Sequence, residues 1–333
     1  MSETQAGNPA NKPAKNPALH APLAAFGGAR PPAPRWFEAA LAIEPEERRI
    51  VVDGVGIETL LWGDVGKPGL LLLHGNGAHA GWWRFIAPFF AADYRVAALS
   101  WSGMGGSDWR KDYSLEHFAH EAYRVMEAGG LTQGPVKPVG VGHSFGSFPL
   151  AEMAASHPGA LRGVVLVDSP FFSPERREQR RKEREKEPQR RRELRPHRVY
   201  PTLPEALSHF RFAPLQTCDN LFIADLIARQ GLKQAPRVDG QGEGWTWVFD
   251  PFLWSNLTIP DLTPTLPRIG SPVAIVRGGR SALMHAEDSA FMLTQLPPGS
   301  VALDIPDADH HVMVDQPLAF VAALRGLLAG FKI

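Results

Sequence analysis

The stretch Gly142-His143-Ser144-Phe145-Gly146 carries the most specific chemistry in this sequence. It follows an apolar run, residues 138–142, and opens a segment with helical spacing. Small residues two positions either side of a serine let the chain turn sharply from strand to helix and lift the hydroxyl onto an exposed bend. Ser144 is therefore the candidate nucleophile for attack on an acyl carbon. The backbone N–H of Phe145, at the helix start, can point at the negative oxygen that such an attack creates. A second donor is needed, and "LLLLHGNGAHAGWW" offers one: a strand ending at His74-Gly75, then Asn76 and Gly77. Glycines let backbone approach a substrate closely. The N–H of Asn76, or failing that of Gly77, is the candidate donor, and His74 is expected to brace the loop. The proton acceptor must be a histidine, and "DIPDADHHVMVDQP" offers His310 and His311.

Alternating elements must position these residues. "RIVVDG" and "IETLLWG" predict a strand pair with Gly54 and Gly56 in the turn. "GLLLLHG", "YRVAALS", "KPVGVG", "LRGVVLVD", "SPVAIVRG" and "VALDIPD" predict further strands, the continuous apolar runs among them covered on both faces. Helices are expected over Trp82–Ala91, Leu115–Ala128, Phe145–Ser156, Ala286–Leu296 and Leu318–Ala329. The pattern predicts an α/β fold: a mostly parallel, eight-stranded sheet with helices on both faces.

The His-Gly loop, "SGMGGSD" after the fourth strand, "GHSFG" and the terminal histidine together resemble the α/β-hydrolase family over residues 50–330. The family's base precedes a proline-headed final helix by about seven residues. Carried over, that spacing implies His310, ahead of Pro317, with His311 shaping the loop. The family's loop after the fourth strand often begins with Asp; here the residue is Ser100. A catalytic acid is also missing from its usual place. In "VAIVRGGRSALMHAED" Ala282 stands where an Asp is expected, and Glu287 and Asp288 fall further on, in the predicted helix. A carboxylate is required to hold the histidine's tautomer and stabilise its charged form. In some family members it comes from the preceding strand, and here that strand exits at Asp168. Asp168 is the expected acid; Asp304, Asp307 and Asp309 are the alternatives.

Residues 171–266 interrupt the alternation with little strand character, which predicts an inserted helical cap rather than a loop. The core is then residues 36–170 and 267–333. The insertion opens on a charge run, residues 175–198, with 12 Arg/Lys against 6 Glu, expected to be a solvated helix broken near Pro188. Later "GWTWVFDPFLW" concentrates aromatics where a lid faces the strand ends. Trp245 and Trp247 are candidate pocket residues, with packing of the cap as the other reading.

Lys plus Arg equals Asp plus Glu at 35 each, so charge argues for no nucleic-acid or membrane partner. Cys218 is the single cysteine, which excludes an internal disulfide framework and fits a small packed side chain. No apolar run reaches the roughly 20 residues that span a bilayer. Residues 1–35, rich in Pro, Ala and Asn, lack a signal-peptide pattern and predict a disordered or loosely docked tail; the expected location is cytoplasmic. No metal-ligand spacing appears among the histidines. The resemblance implies a serine hydrolase without cofactor or metal, acting on a small apolar ester through Ser144, His310 and Asp168. Acyl transfer, perhydrolysis, carbon–carbon bond hydrolysis and ligand binding without turnover are the alternatives, and oligomeric state is unspecified.

Overall fold

A computed structural model describes residues 16–169, 171–186, 195–237 and 239–331. The strands, in chain order, are β1 (Glu46–Val52), β2 (Val55–Trp62), β3 (Gly69–Leu73), β4 (Arg95–Leu99), β5 (Val139–His143), β6 (Gly163–Val167), β7 (Leu232–Pro236), β8 (Glu243–Trp247), β9 (Val273–Gly278) and β10 (Val301–Ile305). Eight of them form one sheet in the order β1-β2-β4-β3-β5-β6-β9-β10. β2 runs antiparallel to β1 and β4, and the remaining neighbours are parallel. The fold is thus the expected α/β sheet, strand for strand.

The central strands are uniformly apolar because each side chain must be buried on one face or the other. Leu70 and Leu72 of β3 join one core cluster, Leu71 and Leu73 the other; Val165 and Val167 of β6 divide from Val164 and Leu166 in the same way. Helices α3 (Leu115–Ala128), α4 (Ser147–Ser156) and α8 (Ala286–Gln295) cover one face with Phe118, Leu150 and Met292. Helix α10 (Pro317–Gly330) covers the other with Phe320, Leu324 and Leu328. Helix α3 shows why such segments form. Ser114 Oγ accepts the His117 N–H as an N-cap, and Leu115, Phe118, Ala119, Ala122, Val125 and Met126 make one buried stripe.

Three local expectations need correction. Asp53 and Gly54, both at positive φ, form the β1–β2 turn; Gly56 lies inside β2 opposite Val51. The segment expected as a helix over residues 82–91 is two short 3-10 turns, Ala80–Trp83 and Ala87–Phe89, since Pro88 supplies no N–H and its ring blocks a continuous helix. The insertion is not purely helical either. Beside α5 (Pro174–Lys186), α6 (Leu203–Ser208) and α7 (Leu221–Gln230) it holds an antiparallel hairpin, β7–β8. Lys, Gln, Pro and Gly in those strands mask an alternation that the buried Gly244 and Thr246 disclose. Helix α5 carries the Glu178–Arg181–Glu185 pairs expected of a solvated helix, while Arg176 ties it to the buried Asp288; Pro188 lies outside the described residues. Of the N-terminal tail, residues 1–15 lie outside the described residues. From Asn16 on the chain is docked: Leu23 is 2% exposed, and Arg229 of α7 donates to the Gly28 carbonyl at 2.6 Å. Among the described residues no helix is long and apolar enough to cross a membrane.

The loop after β4 is fastened by a buried ion pair. Glu121 of α3, fully buried, accepts from Arg110 Nε at 2.8 Å and from the Ser102 N–H at 3.1 Å. Glu121→Ala leaves Arg110 charged, buried and unpaired, which should cost about 3–5 kcal/mol in a urea unfolding experiment. Joint replacement, Glu121→Leu with Arg110→Met, should recover most of that loss.

Candidate active site

The groups capable of chemistry all leave the sheet at the carboxyl ends of its parallel strands, as expected for a ligand site in this architecture. Ser144 follows β5 with φ at 51°, a conformation rare for a residue with a side chain. Crowding enforces that turn. A Cβ on Gly142 would lie 2.7 Å from the Gly146 carbonyl oxygen, and one on Gly146 would lie 2.5 Å from that of His74. Backbone cannot step aside, so both positions accept only glycine. The backbone turn is further tied by Ser147 Oγ, which donates to the Gly142 carbonyl at 2.5 Å.

Ser144 Oγ donates to His310 Nε2 at 2.9 Å, and His310 Nδ1 faces Asp168 Oδ1 at 3.4 Å. His310 is 3% exposed and Asp168 is fully buried. The second distance is longer than an ordinary hydrogen bond, and such contacts tighten when a reacting complex forms. The structure thus brings Ser144, His310 and Asp168 into one line. His311, one residue on, does not reach Ser144. Its ring lies between Trp82 and Phe212, with centroids at 5.2 and 5.1 Å.

Asp168 leaves β6 at φ 46° and is locked in place by the loop after β9. Its Oδ2 accepts the Gly278 N–H at 3.1 Å and its Oδ1 accepts from Ser281 Oγ at 2.7 Å. The loop that lacks an acid therefore offers donors to the acid on the neighbouring strand. Ala282, beside Ser281, is exposed. Three other carboxylates are engaged elsewhere: Asp304 with Arg277, Asp307 with Arg280, and Asp288 with Arg176.

The loop after β3, the strand beside β5, is braced by His74. Its Nδ1–H donates to the Gly75 carbonyl at 2.7 Å while its Nε2 accepts the Trp101 N–H at 3.1 Å. Burial pushes its pKa down to about 3, so the ring is a neutral strut. Gly75, the residue before Asn76, passes so near the elbow that a Cβ there would lie 3.2 Å from that of Ser144. Ser100, the departure after β4, is matched by Glu58 of β2. The Glu58 carboxylate accepts from Ser100 Oγ at 2.5 Å and from the Gly106 N–H at 2.9 Å, so an acid is supplied from the adjacent strand.

His143 donates from Nε2 to the His310 carbonyl at 3.0 Å. Burial, reinforced by the charge that His310 can carry, holds His143 and His311 well below the usual histidine pKa. The His310 loop is also tied from the side. Asp315 Oδ2 accepts the Asp309 N–H at 2.8 Å, and Gln216 Nε2 donates to both Asp315 oxygens while its Oε1 accepts the His311 N–H. Burial raises the Asp315 carboxyl to about 7. Cys218, two residues from Gln216, is half-buried, and burial pushes its thiol up to about 12.

Gln216 and one further residue of the insertion were not legible in the sequence. Trp254 Nε1 donates to Asn76 Oδ1 at 2.7 Å, and its ring stands edge-on to Phe145 at 5.4 Å. It touches both residues whose N–H groups are the candidate oxyanion donors, yet is 41% exposed. Asp250 anchors this segment by donating its N–H to the Gly103 carbonyl and accepting from Tyr113. Trp245, in the hairpin, bridges to Tyr200 outside it, and Trp247 contacts Phe210, which contacts Phe212, which contacts His311. The tryptophan that reaches the site sits nine positions after Trp245, in the same aromatic run.

Comparison with known proteins agrees with this fold. A family model described as the alpha/beta hydrolase family matches residues 70–324. Pimeloyl-[acyl-carrier protein] methyl ester esterase of Edwardsiella ictaluri is 35% identical over 109 residues, which span 32% of this chain and only 39% of that enzyme. Esterase Rv0045c of Mycobacterium tuberculosis is 25% identical over 292 residues, 85% of this chain and 89% of that protein. The crystal structure of E-2-(acetamidomethylene)succinate hydrolase superposes with a TM-score of 0.67 at 20% identity, covering 86% of this chain and 99% of the other, a likeness of fold alone. With three-quarters of its length inside the matched region, the chain belongs to the alpha/beta hydrolase family.

Proposed function

We propose that this protein is a cofactor-independent serine hydrolase that cleaves a carboxylic ester of a small apolar substrate through an acyl-enzyme. The observation that carries the reading is the 2.9 Å bond between Ser144 Oγ and His310 Nε2. Ser144 attacks the carbonyl carbon as His310 takes its proton, and the resulting imidazolium is stabilised by Asp168. The tetrahedral oxyanion is held by the backbone N–H groups of Phe145 and Asn76. His310 then returns the proton to the leaving alcohol, and a water repeats the sequence on the acyl-enzyme. Residues 171–266 act as a cap over the site. Supporting this, Gln216, Phe212 and Trp254 of the insertion contact the His310 loop, His311 and the two oxyanion residues. Trp82, Phe212 and Phe148 supply apolar surface nearby, which suits an apolar acyl group.

A fluorophosphonate should label Ser144 alone, one group per chain, and labelling should vanish in Ser144→Ala; labelling that persists there removes Ser144 as nucleophile. Asp168→Asn should keep the fold by circular dichroism and lower kcat by up to about 10⁴, the loss when a triad histidine loses its carboxylate. That change corresponds to about 5.5 kcal/mol of transition-state stabilisation. Near-normal kcat in this variant would transfer the role to Asp304, Asp307 or Asp309.

Trp254→Phe keeps the ring against Phe145 and removes the bond to Asn76. Loss of one hydrogen bond worth about 1 kcal/mol should lower kcat about fivefold with the melting temperature unchanged. Trp247→Ala should do the reverse, lowering the melting temperature while the ester chain-length preference stays as it was.

A further inference from the structure

Three histidines that are far apart in sequence, or adjacent but oppositely used, meet in one buried group. His143, His310 and His311 are 2%, 3% and 4% exposed, and one ring nitrogen from each lies within 4.8 Å of the others. We propose that they form a site for a divalent transition metal of the zinc and copper class, and that occupancy shuts off the nucleophile. The shut-off half of this proposal rests on the reading of Ser144 and His310 as the reactive pair; the metal site itself does not.

The donor set fixes the class of ion. Imidazole nitrogens suit zinc, copper and nickel, whereas magnesium and calcium demand oxygen ligands. Zinc–nitrogen bonds of about 2.0–2.1 Å in a tetrahedron put donor atoms roughly 3.3 Å apart. Separations of up to 4.8 Å leave about 1.5 Å for the rings, and for the loop that carries His310 and His311, to close on an ion.

Two features of these rings point to a ligand. Both ring nitrogens of His311 are buried without a hydrogen-bond partner. Buried polar atoms are nearly always paired, so an unpaired imidazole beside two others is a donor waiting for an acceptor. His310 is already oriented as metal-bound histidines are: Nδ1 is turned to a carboxylate, Asp168, which leaves the Nε2 lone pair free to coordinate. Those same lone-pair electrons receive the Ser144 proton. An ion bound to Nε2 takes them, and Ser144 is left without a base.

The test is zinc chloride titrated by calorimetry into the full chain without substrate, alongside zinc inhibition of p-nitrophenyl ester hydrolysis and its reversal by EDTA. The expected result is one ion per chain and inhibition over the same concentration range. His311→Phe, which keeps an aromatic ring between Trp82 and Phe212, should weaken binding at least tenfold; His311→Gln serves if the first variant fails to fold. Ser144→Ala should bind zinc as the unaltered chain does, so calorimetry judges the site even if the nucleophile is misassigned. Equal zinc affinity with and without His311 overturns the site. Binding that depends on His311 but leaves ester turnover untouched overturns the shut-off. A chain that binds zinc through His311 yet hydrolyses no ester keeps the metal site and discards the proposed function.

Discussion

The close approach of two backbones, where the elbow after β5 meets the end of β3, constrains the rest of the site. Gly146 lies so near the His74 and Leu73 carbonyls that no side chain fits between them. That contact holds Ser144 in its left-handed turn and brings Gly75, the residue before Asn76, alongside Ser144 in the same stroke. One steric condition thus assembles the proposed nucleophile and both proposed oxyanion donors. Left-handed backbone at a residue with a Cβ costs of order 1–3 kcal/mol, and persists only where the surroundings over-determine it. Here the surroundings are a five-residue buried strand on either side of the turn, fixed in parallel register.

The position of the acid follows from sheet order. β6 and β9 are neighbours, so their carboxyl ends present side chains to the same histidine. Having Asp168 on β6 frees the β9 loop from supplying charge, and the loop supplies donors instead: the Gly278 N–H and the Ser281 hydroxyl. A carboxylate held by two donors cannot swing away to solvent, so His310 meets it at one angle. The same exchange occurs at the other side of the sheet. Ser100 of the β4 loop lacks a carboxylate, and Glu58 of adjacent β2 provides it. In both places the carboxylate stands one strand away from where the family resemblance leads one to expect it.

These exchanges explain what could be read from the sequence. The elbow, the His-Gly loop and the strand runs are local patterns, each imposed by geometry within a few residues, and they were legible. Helix α3 was legible to the residue because its cap and stripe agree. The hairpin β7–β8 was hidden by residues of low strand preference, which survive in strands because pairing and packing outweigh intrinsic preference. The choice of Trp254 over Trp245 and Trp247 was hidden for a different reason. All three lie in one aromatic run, and only the anchoring of Asp250 to Gly103 and Tyr113 decides which ring is delivered to the site. The contacts of Gln216 and the meeting of three histidines depend on long-range docking that no local spacing encodes.

On the proposed reading, Trp254 ties substrate entry to the reacting centre. It is exposed enough to meet an incoming ligand, yet it holds the Asn76 side chain and presses on Phe145. A ligand that displaces the indole also releases the residue whose N–H is the proposed oxyanion donor. A ligand that packs against it without displacing it leaves both donors fixed. Fixed donors are the ones that stabilise a developing charge without reorganisation. On the proposed reading, the shape of the insertion and the rate at Ser144 are therefore coupled, because Trp254 touches both proposed oxyanion residues.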